Sequence, residues 1–189
     1  MADSWKLEAD SWKLTKDLME SLKSKIRSVP NFPKAGINFF DITTLLKDKD
    51  GFRATIEALA DPFQNQKIDI VIGVESRGFI LGGAVADRLK SGFAPVRKKG
   101  KLPSTTVQET YDLEYGTDCL EIHSDAVSRG ERVLIVDDVL ATGGTAAATT
   151  NLIRRLGGDV QSLAFLIELE FLNGRAKLAK EKVFSVLKY

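Results

Sequence analysis

Apolar segments with the character of strands alternate along this chain with segments that have helical spacing. The β-branched run Ile68–Val74 precedes a helical pattern over Gly78–Leu89. The apolar run Arg132–Val136 enters a Gly-rich turn and a helix that ends at Leu156. Runs this apolar fill strands that are buried on both faces, and their alternation with helices is typical of a parallel sheet. We therefore predict an α/β fold with a mostly parallel central sheet flanked by helices.

The remaining segments extend the same pattern. Strands are predicted at Phe93–Lys98, Leu120–His123, Val160–Leu169 and Val183–Leu187, and a short apolar segment at Ile37–Phe40. Helices are predicted over Lys16–Ser28, Gly51–Leu59 and Gly174–Lys180. In sheets of this kind, ligands bind beyond the carboxyl ends of the strands. The residues that follow each strand are therefore the candidates for function.

Length and composition exclude several classes of protein. The 189 residues suffice for one domain, and the single cysteine, Cys119, and single histidine, His123, cannot form an internal disulfide or a Cys/His zinc site. The 27 basic and 26 acidic side chains leave a net charge of +1, which does not favour a nucleic-acid partner. Because no apolar run approaches the length of a membrane span and no signal-peptide pattern is present, we expect a cytoplasmic protein without membrane association.

The N-terminus carries a short direct repeat. Residues 2–7, Ala-Asp-Ser-Trp-Lys-Leu, recur as residues 9–14 and hold both tryptophans. Two copies are too few for a repeat fold. A tail added in cloning and a duplicated helical extension both stay open as explanations, so we predict an N-terminal extension over residues 1–14 and one domain over residues 15–189.

The stretch Asp137–Thr145 carries the strongest chemical signal. After two adjacent carboxylates, two glycines and two threonines stand at the start of a predicted helix. Free backbone N–H groups, hydroxyls and the positive end of a helix bind a phosphate, and vicinal carboxylates accept hydrogen bonds from the hydroxyls of a sugar. The pattern differs from nucleotide-triphosphate and dinucleotide loops. A sugar phosphate is the predicted ligand, and the alternative is that Asp138 caps the turn and Thr142 caps the helix.

At this point the sequence resembles the type I phosphoribosyltransferases. Their signature has four apolar residues, two acids, two apolar residues, a small residue, Thr-Gly and a closing Thr, and Val133–Thr145 matches it throughout. The resemblance implies the fold of that family, with a flexible lid loop and a small N-terminal hood region. It assigns the ribose hydroxyls to Asp137 and Asp138, and the 5′-phosphate to Ala141, Thr142, Gly143, Gly144 and Thr145.

Other segments resemble the adenine-using branch of the family. They are 31–37 (Asn-Phe-Pro-Lys-Ala-Gly-Ile), 75–79 (Glu-Ser-Arg-Gly-Phe), 96–103 and 111–116, and the match runs from about Leu18 to Tyr189. Hypoxanthine-guanine members carry an acid where this chain has Ala141, so the acid-base carboxylate must come from elsewhere. The resemblance implies that adenine is bound around Ile37, Asn38, Phe39 and Phe40, stacked on Phe39. Some relatives have Arg in place of Phe40.

Basic residues follow two of the predicted strands. Arg77 stands after one strand, and Arg97, Lys98 and Lys101 stand at and beyond the end of another. Several cations converging there would bind a pyrophosphate, whereas a solvated basic face is the plain alternative. The resemblance assigns pyrophosphate binding to Glu75, Ser76, Arg77, Arg97, Lys98 and Lys101, partly from a neighbouring subunit.

Residues Lys99–Glu114 show little apolar periodicity and are predicted to form a long polar loop. Loops of that length in a compact domain are usually functional or disordered. The resemblance identifies this loop as a lid over the reacting centre, with Glu114 as the acid-base group and Tyr115 holding the closed lid. A surface carboxylate is the alternative for Glu114.

The resemblance implies a reaction, its ligands and an assembly. The chain would transfer the 5-phosphoribosyl group of phosphoribosyl pyrophosphate to adenine, giving AMP and pyrophosphate, in purine salvage. Mg²⁺ would enter with phosphoribosyl pyrophosphate, no protein ligand for the metal is assigned, and a homodimer is expected. A xanthine or other purine phosphoribosyltransferase is the enzymatic alternative. A regulator that senses phosphoribosyl pyrophosphate is the non-enzymatic one.

Overall fold

The computed structural model describes residues 16–112 and 117–189. The chain divides into two compact units, with the division between Pro62 and Phe63. The predicted extension of residues 1–14 lies outside the described residues, as do Glu114 and Tyr115. Within the described part, no helix combines the length and apolarity needed to cross a membrane.

The first unit holds three helices and a hairpin in its described part. In chain order they are α1 (Lys16–Ser24), β1 (Arg27–Pro30), β2 (Asn38–Asp41), α2 (Thr43–Lys47) and α3 (Lys49–Ala60). Strands β1 and β2 pair antiparallel. The Asp48 carboxylate caps α3 by accepting from the N–H of Gly51 at 2.7 Å, which satisfies one free donor of the first turn.

The predicted helix over Lys16–Ser28 is wrong at its end. Helix α1 ends at Ser24, and the chain then turns and enters β1, where Arg27 lies opposite Asp41 in the antiparallel register. The Arg27 side chain also donates from Nε to that carboxylate at 3.1 Å. The spacing of apolar residues depends only on neighbours along the chain. It therefore could not show that the last turn of the predicted helix instead pairs with a strand 14 residues later.

The second unit is built on a seven-stranded sheet. Its elements are β3 (Ile70–Val74), α4 (Gly78–Leu89), β4 (Gly92–Lys98), β5 (Thr106–Asp112), β6 (Thr117–His123), β7 (Arg132–Leu140), α5 (Gly144–Leu156), β8 (Asp159–Glu168) and β9 (Val183–Lys188). The strand order is β5-β6-β4-β3-β7-β8-β9. The β4-β3-β7-β8-β9 pairs are parallel, and β6 pairs antiparallel with β4 and β5. The predicted mostly parallel sheet is confirmed.

The centre of this sheet is buried on both faces, as its composition predicts. All five residues of β3 are buried, and Val133, Leu134, Ile135 and Val136 of β7 have no exposed surface. Helix α4 has the bounds expected from its spacing, Gly78–Leu89. The predicted helix Gly174–Lys180 is a shorter 3-10 helix, Gly174–Leu178.

Strand β7 continues past its predicted end at Val136. Asp137, Val139 and Leu140 pair in parallel with Phe165, Ile167 and Glu168 of β8. The two acids are thus part of the sheet and do not belong to the loop behind it. Aspartate is unfavourable in most strands, so the residue types predicted that β7 ends before the two acids. The hydrogen-bonded pairing with β8 nevertheless continues past them.

The long polar loop predicted over Lys99–Glu114 is wrong as a conformation for Thr106–Asp112, whereas its role as a lid stays a prediction. Residues Thr106–Asp112 form β5, an edge strand in antiparallel register with β6. Val107 and Tyr111 pack against the core while polar residues alternate with them. Val107 and Tyr111, four residues apart, lie on one face of the strand, but the polar Glu109 lies between them on that face, so the apolar alternation is incomplete and the strand was missed.

Candidate functional site

The loop Ala141–Thr145 joins the carboxyl end of β7 to helix α5 and lines a small cavity. The cavity has a volume of about 80 Å³, and its other walls are Asp137, Val139, Leu140, Ala146 and Phe165. Phe165 lies opposite Asp137 in the register of β7 with β8 and is fully buried. The structure therefore brings the predicted phosphate-binding residues together at one end of the central strands.

Backbone conformation explains the glycine at the centre of this loop. Gly143 has φ 78° and ψ 0°, a left-handed conformation that other residues adopt at a cost, and it is the N-cap of α5. No side chain caps this helix. The alternative in which Thr142 caps the helix is therefore not observed, and the start of this 13-residue helix, with its free N–H groups and positive dipole end, favours an anion.

Thr145 has a further partner within the chain. Its hydroxyl lies 3.2 Å from the hydroxyl of Tyr111, on the edge strand β5. Burial raises the pKa of the Tyr111 phenol, and the nearby Asp118 carboxylate acts in the same direction. Sequence reasoning missed this link because Tyr111 was placed in the predicted lid loop.

The two acids have different surroundings. The Asp138 carboxylate accepts a hydrogen bond from Nε of Arg77, and the side chain is only 10% exposed, so the reading of Asp138 as a simple turn cap is not observed. Asp137 lines the cavity beside the loop Ala141–Thr145 and accepts from the N–H of Asp138 at 2.8 Å. Consecutive side chains of a strand point to opposite faces, which accounts for the difference.

Asp137 holds its proton more tightly than an ordinary aspartate. Burial raises its pKa well above the usual range, and the charge of Asp138 adds to the effect. Its carboxylate packs against the start of α4, where a Cβ added to Gly78 would lie 2.8 Å from Oδ1 of Asp137. Gly78 is thus a residue that the site needs for close packing and that no spacing rule identified.

The segment Glu75–Arg77 follows β3 beside the acids. The peptide bond between Glu75 and Ser76 is cis, and Arg77 directly precedes α4. Since β3 and β7 are adjacent parallel strands, Arg77 at the end of one reaches Asp138 at the end of the other. The structure therefore joins a residue predicted for pyrophosphate to one predicted for ribose.

The basic residues of β4 and the following turn are held by carboxylates. Oε2 of Glu75 accepts from Nε of Arg97 and from the N–H of Lys98, both at 3.1 Å. Arg97 also donates to the carbonyl oxygen of Lys101 at 3.2 Å, and the Lys98 ammonium lies 3.3 Å from Asp118. The Arg97 guanidinium is therefore oriented by built contacts, which an ordinary solvated face does not require, whereas the Lys98 side chain is 61% exposed.

Glu121 is a buried acid that sequence reasoning missed. It is 2% exposed, and Oε1 accepts from the N–H groups of Lys101 at 2.8 Å and Leu102 at 3.0 Å. Burial by itself raises its pKa, but the backbone donors outweigh burial and hold the pKa below its ordinary value. This carboxylate anchors the turn that carries Lys101.

The predicted base-binding residues lie in the first unit. Asn38, Phe39 and Phe40 belong to β2, Ile37 directly precedes the strand, and the ring of Phe39 meets Phe32 edge-on with centroids 5.3 Å apart. The Asn38 amide oxygen accepts from the hydroxyl of Ser28 at 2.7 Å. The two predicted catalytic residues, Glu114 and Tyr115, lie outside the described residues.

The donor set for a metal is small. Among the described residues no group of three or more His, Cys, Asp or Glu side chains could enclose a metal ion. Mg²⁺ usually keeps several waters and binds through one or two carboxylates together with the phosphates of a substrate. Asp138, which is held by Arg77 beside the loop Ala141–Thr145, is the carboxylate here that fits a Mg²⁺ ion carried by a phosphorylated substrate.

Comparison with known proteins identifies one family. The model of the phosphoribosyl transferase domain matches residues 41–188. A curated adenine phosphoribosyltransferase of Acidobacterium capsulatum is 58% identical over 170 residues, which cover 90% of this chain and 94% of that protein.

Solved structures agree with the sequence relatives. The adenine phosphoribosyltransferase of Rhodothermus marinus is 56% identical with a TM-score of 0.89, over 93% of this chain and 100% of that one. The enzyme of Saccharomyces cerevisiae, solved with D-2,5-dideoxy-2,5-imino-altritol 1,6-bisphosphate and adenine, is 41% identical with a TM-score of 0.86, over 91% and 99% of the two chains.

Proposed function

Because the chain belongs to the adenine phosphoribosyltransferase family, we propose that it transfers the 5-phosphoribosyl group of phosphoribosyl pyrophosphate to adenine. The products are AMP and pyrophosphate. The observation that carries this proposal is the uncapped, Gly-centred loop Ala141–Thr145 at the end of β7, preceded by two acids in different surroundings. Purine salvage is the process that such a reaction serves.

The loop binds the 5′-phosphate. The free N–H groups at the start of α5, the hydroxyls of Thr142 and Thr145 and the positive end of the helix all favour a dianion in a cavity of about 80 Å³. Asp137 and Asp138, just before the loop, accept hydrogen bonds from the ribose hydroxyls. Arg77 then exchanges part of its contact with Asp138 for the substrate.

The pyrophosphate is bound by the backbone and cations beyond β3 and β4. Ser76 and Arg77 provide donors from one strand end, and Arg97, Lys98 and Lys101 provide positive charge from the other. A carboxylate repels a polyanion, so the role of Glu75 is to orient Arg97, from which it accepts a hydrogen bond at 3.1 Å.

The reaction breaks the bond between the anomeric carbon and a pyrophosphate oxygen and forms a bond from that carbon to a ring nitrogen of adenine. The bonding electrons leave with pyrophosphate, whose growing charge the cations stabilise. The proton on the attacking nitrogen passes to the carboxylate of Glu114, and Tyr115 helps to hold the lid closed. A general base of this kind contributes about 10²–10⁴-fold to a rate.

Mg²⁺ would enter with phosphoribosyl pyrophosphate. When bound, the ion neutralises charge on the phosphate oxygens and on the departing group. Asp138 would hold the ion on the protein side, and no further protein ligand is assigned.

Adenine binds at Ile37, Asn38, Phe39 and Phe40. The backbone of β2 reads the edge of the base, and the Phe39 ring stacks on its face. Phe40 replaces an arginine that some relatives carry, so recognition here relies on backbone groups.

An assay of base specificity tests the proposal. The chain is supplied with phosphoribosyl pyrophosphate, Mg²⁺ and either adenine, hypoxanthine, guanine or xanthine, and nucleotide formation is measured. We expect AMP formation to dominate. Equal rates with xanthine would reassign the substrate, and binding of phosphoribosyl pyrophosphate without turnover of any base would indicate a sensor.

The assembly and domain boundaries form a further part of the proposal. We propose a cytoplasmic homodimer in which residues 15–189 form the enzyme domain and residues 1–14 an extension without a catalytic role. Light scattering after size exclusion measures the mass, which should be twice 20.8 kDa. A chain shortened to residues 15–189 should keep full activity, and a loss would give the extension a function.

A further inference from the structure

The phosphate loop is backed by the backbone of Gly174. A Cβ built on Gly174 would lie 2.2 Å from the carbonyl oxygen of Ala141 and 3.1 Å from the nitrogen of Gly143. In the reverse direction, a Cβ on Gly143 would lie 2.4 Å from the carbonyl oxygen of Gly174. Real Cβ atoms do not approach other atoms this closely, so the two backbones meet with no room for a side chain between them.

This contact reaches the part of the loop that binds the anion. Ala141 and Gly143 are lining residues of the phosphate cavity. The direction of the loop's N–H groups depends on the path of the backbone from Ala141 to Gly144. A shift of that path turns donors away from a phosphate oxygen, and a hydrogen bond weakens steeply as its angle falls.

The segment that carries Gly174 cannot easily withdraw. Arg175 donates from Nε and Nη2 to the two carboxylate oxygens of Glu168 at 2.5 and 2.7 Å, and from Nη1 to the carbonyl oxygen of Val183 at 3.0 Å. Glu168 is 4% exposed at the end of β8. The hydrogen bonds from Arg175 also lower the pKa of Glu168, so the pair stays charged at neutral pH.

We propose that Gly174 is a positioning residue for phosphoribosyl pyrophosphate: its backbone, held by the Arg175–Glu168 ion pair, fixes the anion-binding path of the loop Ala141–Thr145. The inference rests on the proposed function of that loop. Gly174 touches no reacting atom and acts only through Ala141 and Gly143. A side chain at position 174 therefore displaces the loop, because the other side of the contact is clamped to β8 and β9.

The test compares Gly174→Ala with a matched glycine variant in the full chain. Gly83→Ala, in α4, is the control because a Cβ there meets nothing within 4 Å. For Gly174→Ala we expect KM for phosphoribosyl pyrophosphate and Kd for ribose 5-phosphate, measured by calorimetry, to rise about tenfold, the effect of weakening one charge-assisted hydrogen bond. KM for adenine should change by less than about twofold, because no contact to the base is lost.

A second variant keeps the proposal testable if Gly174→Ala does not fold. Arg175→Lys keeps the positive charge but loses the two-pronged contact with Glu168, and it should raise the same two constants by a smaller factor. Unchanged constants in a folded Gly174→Ala variant would overturn the proposal, as would a fall in melting temperature alone. If Gly174→Ala does not fold, unchanged constants in Arg175→Lys overturn it. Inactivity of the unmodified chain with every purine base would instead refute the proposed function, while ribose 5-phosphate binding would still test Gly174.

Discussion

The guanidinium of Arg77 and the carboxylate of Asp138 form a hydrogen-bonded ion pair across the ends of two adjacent parallel strands. One residue is proposed to bind pyrophosphate and the other ribose. Without substrate the two charges compensate each other, which offsets the cost of placing the Asp138 carboxylate where it is nearly buried. Substrate binding therefore rearranges an existing ion pair. The substrate does not meet an uncompensated charge in the site.

Asp138→Asn tests the ribose role. The amide keeps the shape but loses the charged acceptor, so we expect Kd for ribose 5-phosphate to rise about tenfold, as for loss of a charge-assisted hydrogen bond. Calorimetry measures it, with Asp87→Asn on the exposed side of α4 as the control. An undiminished affinity would mean that the acidic pair is structural only.

Glu114→Gln tests the proposed base. The variant cannot take the proton from adenine, so kcat should fall about 10²–10⁴-fold while Kd for phosphoribosyl pyrophosphate stays the same. Steady-state kinetics and calorimetry separate the two effects, and Glu20→Gln on α1 serves as the control. A variant with wild-type kcat would remove Glu114 from the mechanism.

Phe39→Ala tests the base site. Loss of the stacking face should raise KM for adenine about tenfold, since stacking of a base on an aromatic ring contributes roughly 1–3 kcal/mol. Kd for ribose 5-phosphate, measured on the same protein, should not change. Parallel losses of both affinities would show that the substitution disturbs more than the base.

Glu121→Gln tests the buried anchor of the Lys101 turn. The amide cannot serve all the N–H donors that the carboxylate accepts, so we expect a loss of about 1–3 kcal/mol in the free energy of unfolding and a higher KM for phosphoribosyl pyrophosphate. Glu131→Gln is a matched control, because Glu131 accepts from the N–H of Ser128 at 2.7 Å on an exposed turn. Equal effects of the two variants would show that Glu121 does not anchor the Lys101 turn.

Asp69→Asn gives a pH-dependent prediction. Asp69 accepts from the Arg132 side chain at 2.6 and 2.8 Å and from its N–H at 2.9 Å, and these bonds lower its pKa from the ordinary 3.8. Because the pKa of Asp69 is lower in the folded state than in the unfolded state, the stabilisation by this ion pair is present above pH 3.8. It is lost as the pH falls through the pKa of the folded state. The melting temperature of Asp69→Asn should therefore lie below that of the unmodified chain at pH 7, and the gap should shrink in acid. The exposed Asp125→Asn variant should show no gap at pH 7, and a gap for Asp69→Asn that is as large at pH 2 as at pH 7 would contradict this account.

Local patterns predicted the elements whose identity is fixed by neighbours along the chain. The apolar runs of β3 and β7 and the spacing of α4 predicted their positions, because full burial and helical periodicity leave direct traces in the sequence. The loop Ala141–Thr145 between β7 and α5 was predicted for the same reason, since Asp137–Thr145 is contiguous, and its role in binding phosphate stays a prediction.

Features that depend on distant partners were not predictable in this way. Helix α1 ends early because Arg27 pairs with Asp41, β7 runs on because Asp137 pairs with Phe165, and β5 forms because Tyr111 packs onto the core. The supporting residues Glu121 and Gly78 are likewise defined by what folds against them. Their residue types, a polar acid in a strand and one glycine among 15, carry no such information by themselves.

The reciprocal contact of Gly143 with Gly174 limits how such a chain can diverge. At each position an added Cβ would collide with the other residue's carbonyl group or with that of Ala141, and these are main-chain atoms. No second substitution can create the missing space by shortening a side chain, because no side chain occupies it. Among homologues that keep this packing we expect both positions to remain glycine. Paired substitutions at the two positions are not expected, and a homologue that lacks one of the glycines should have a different loop conformation.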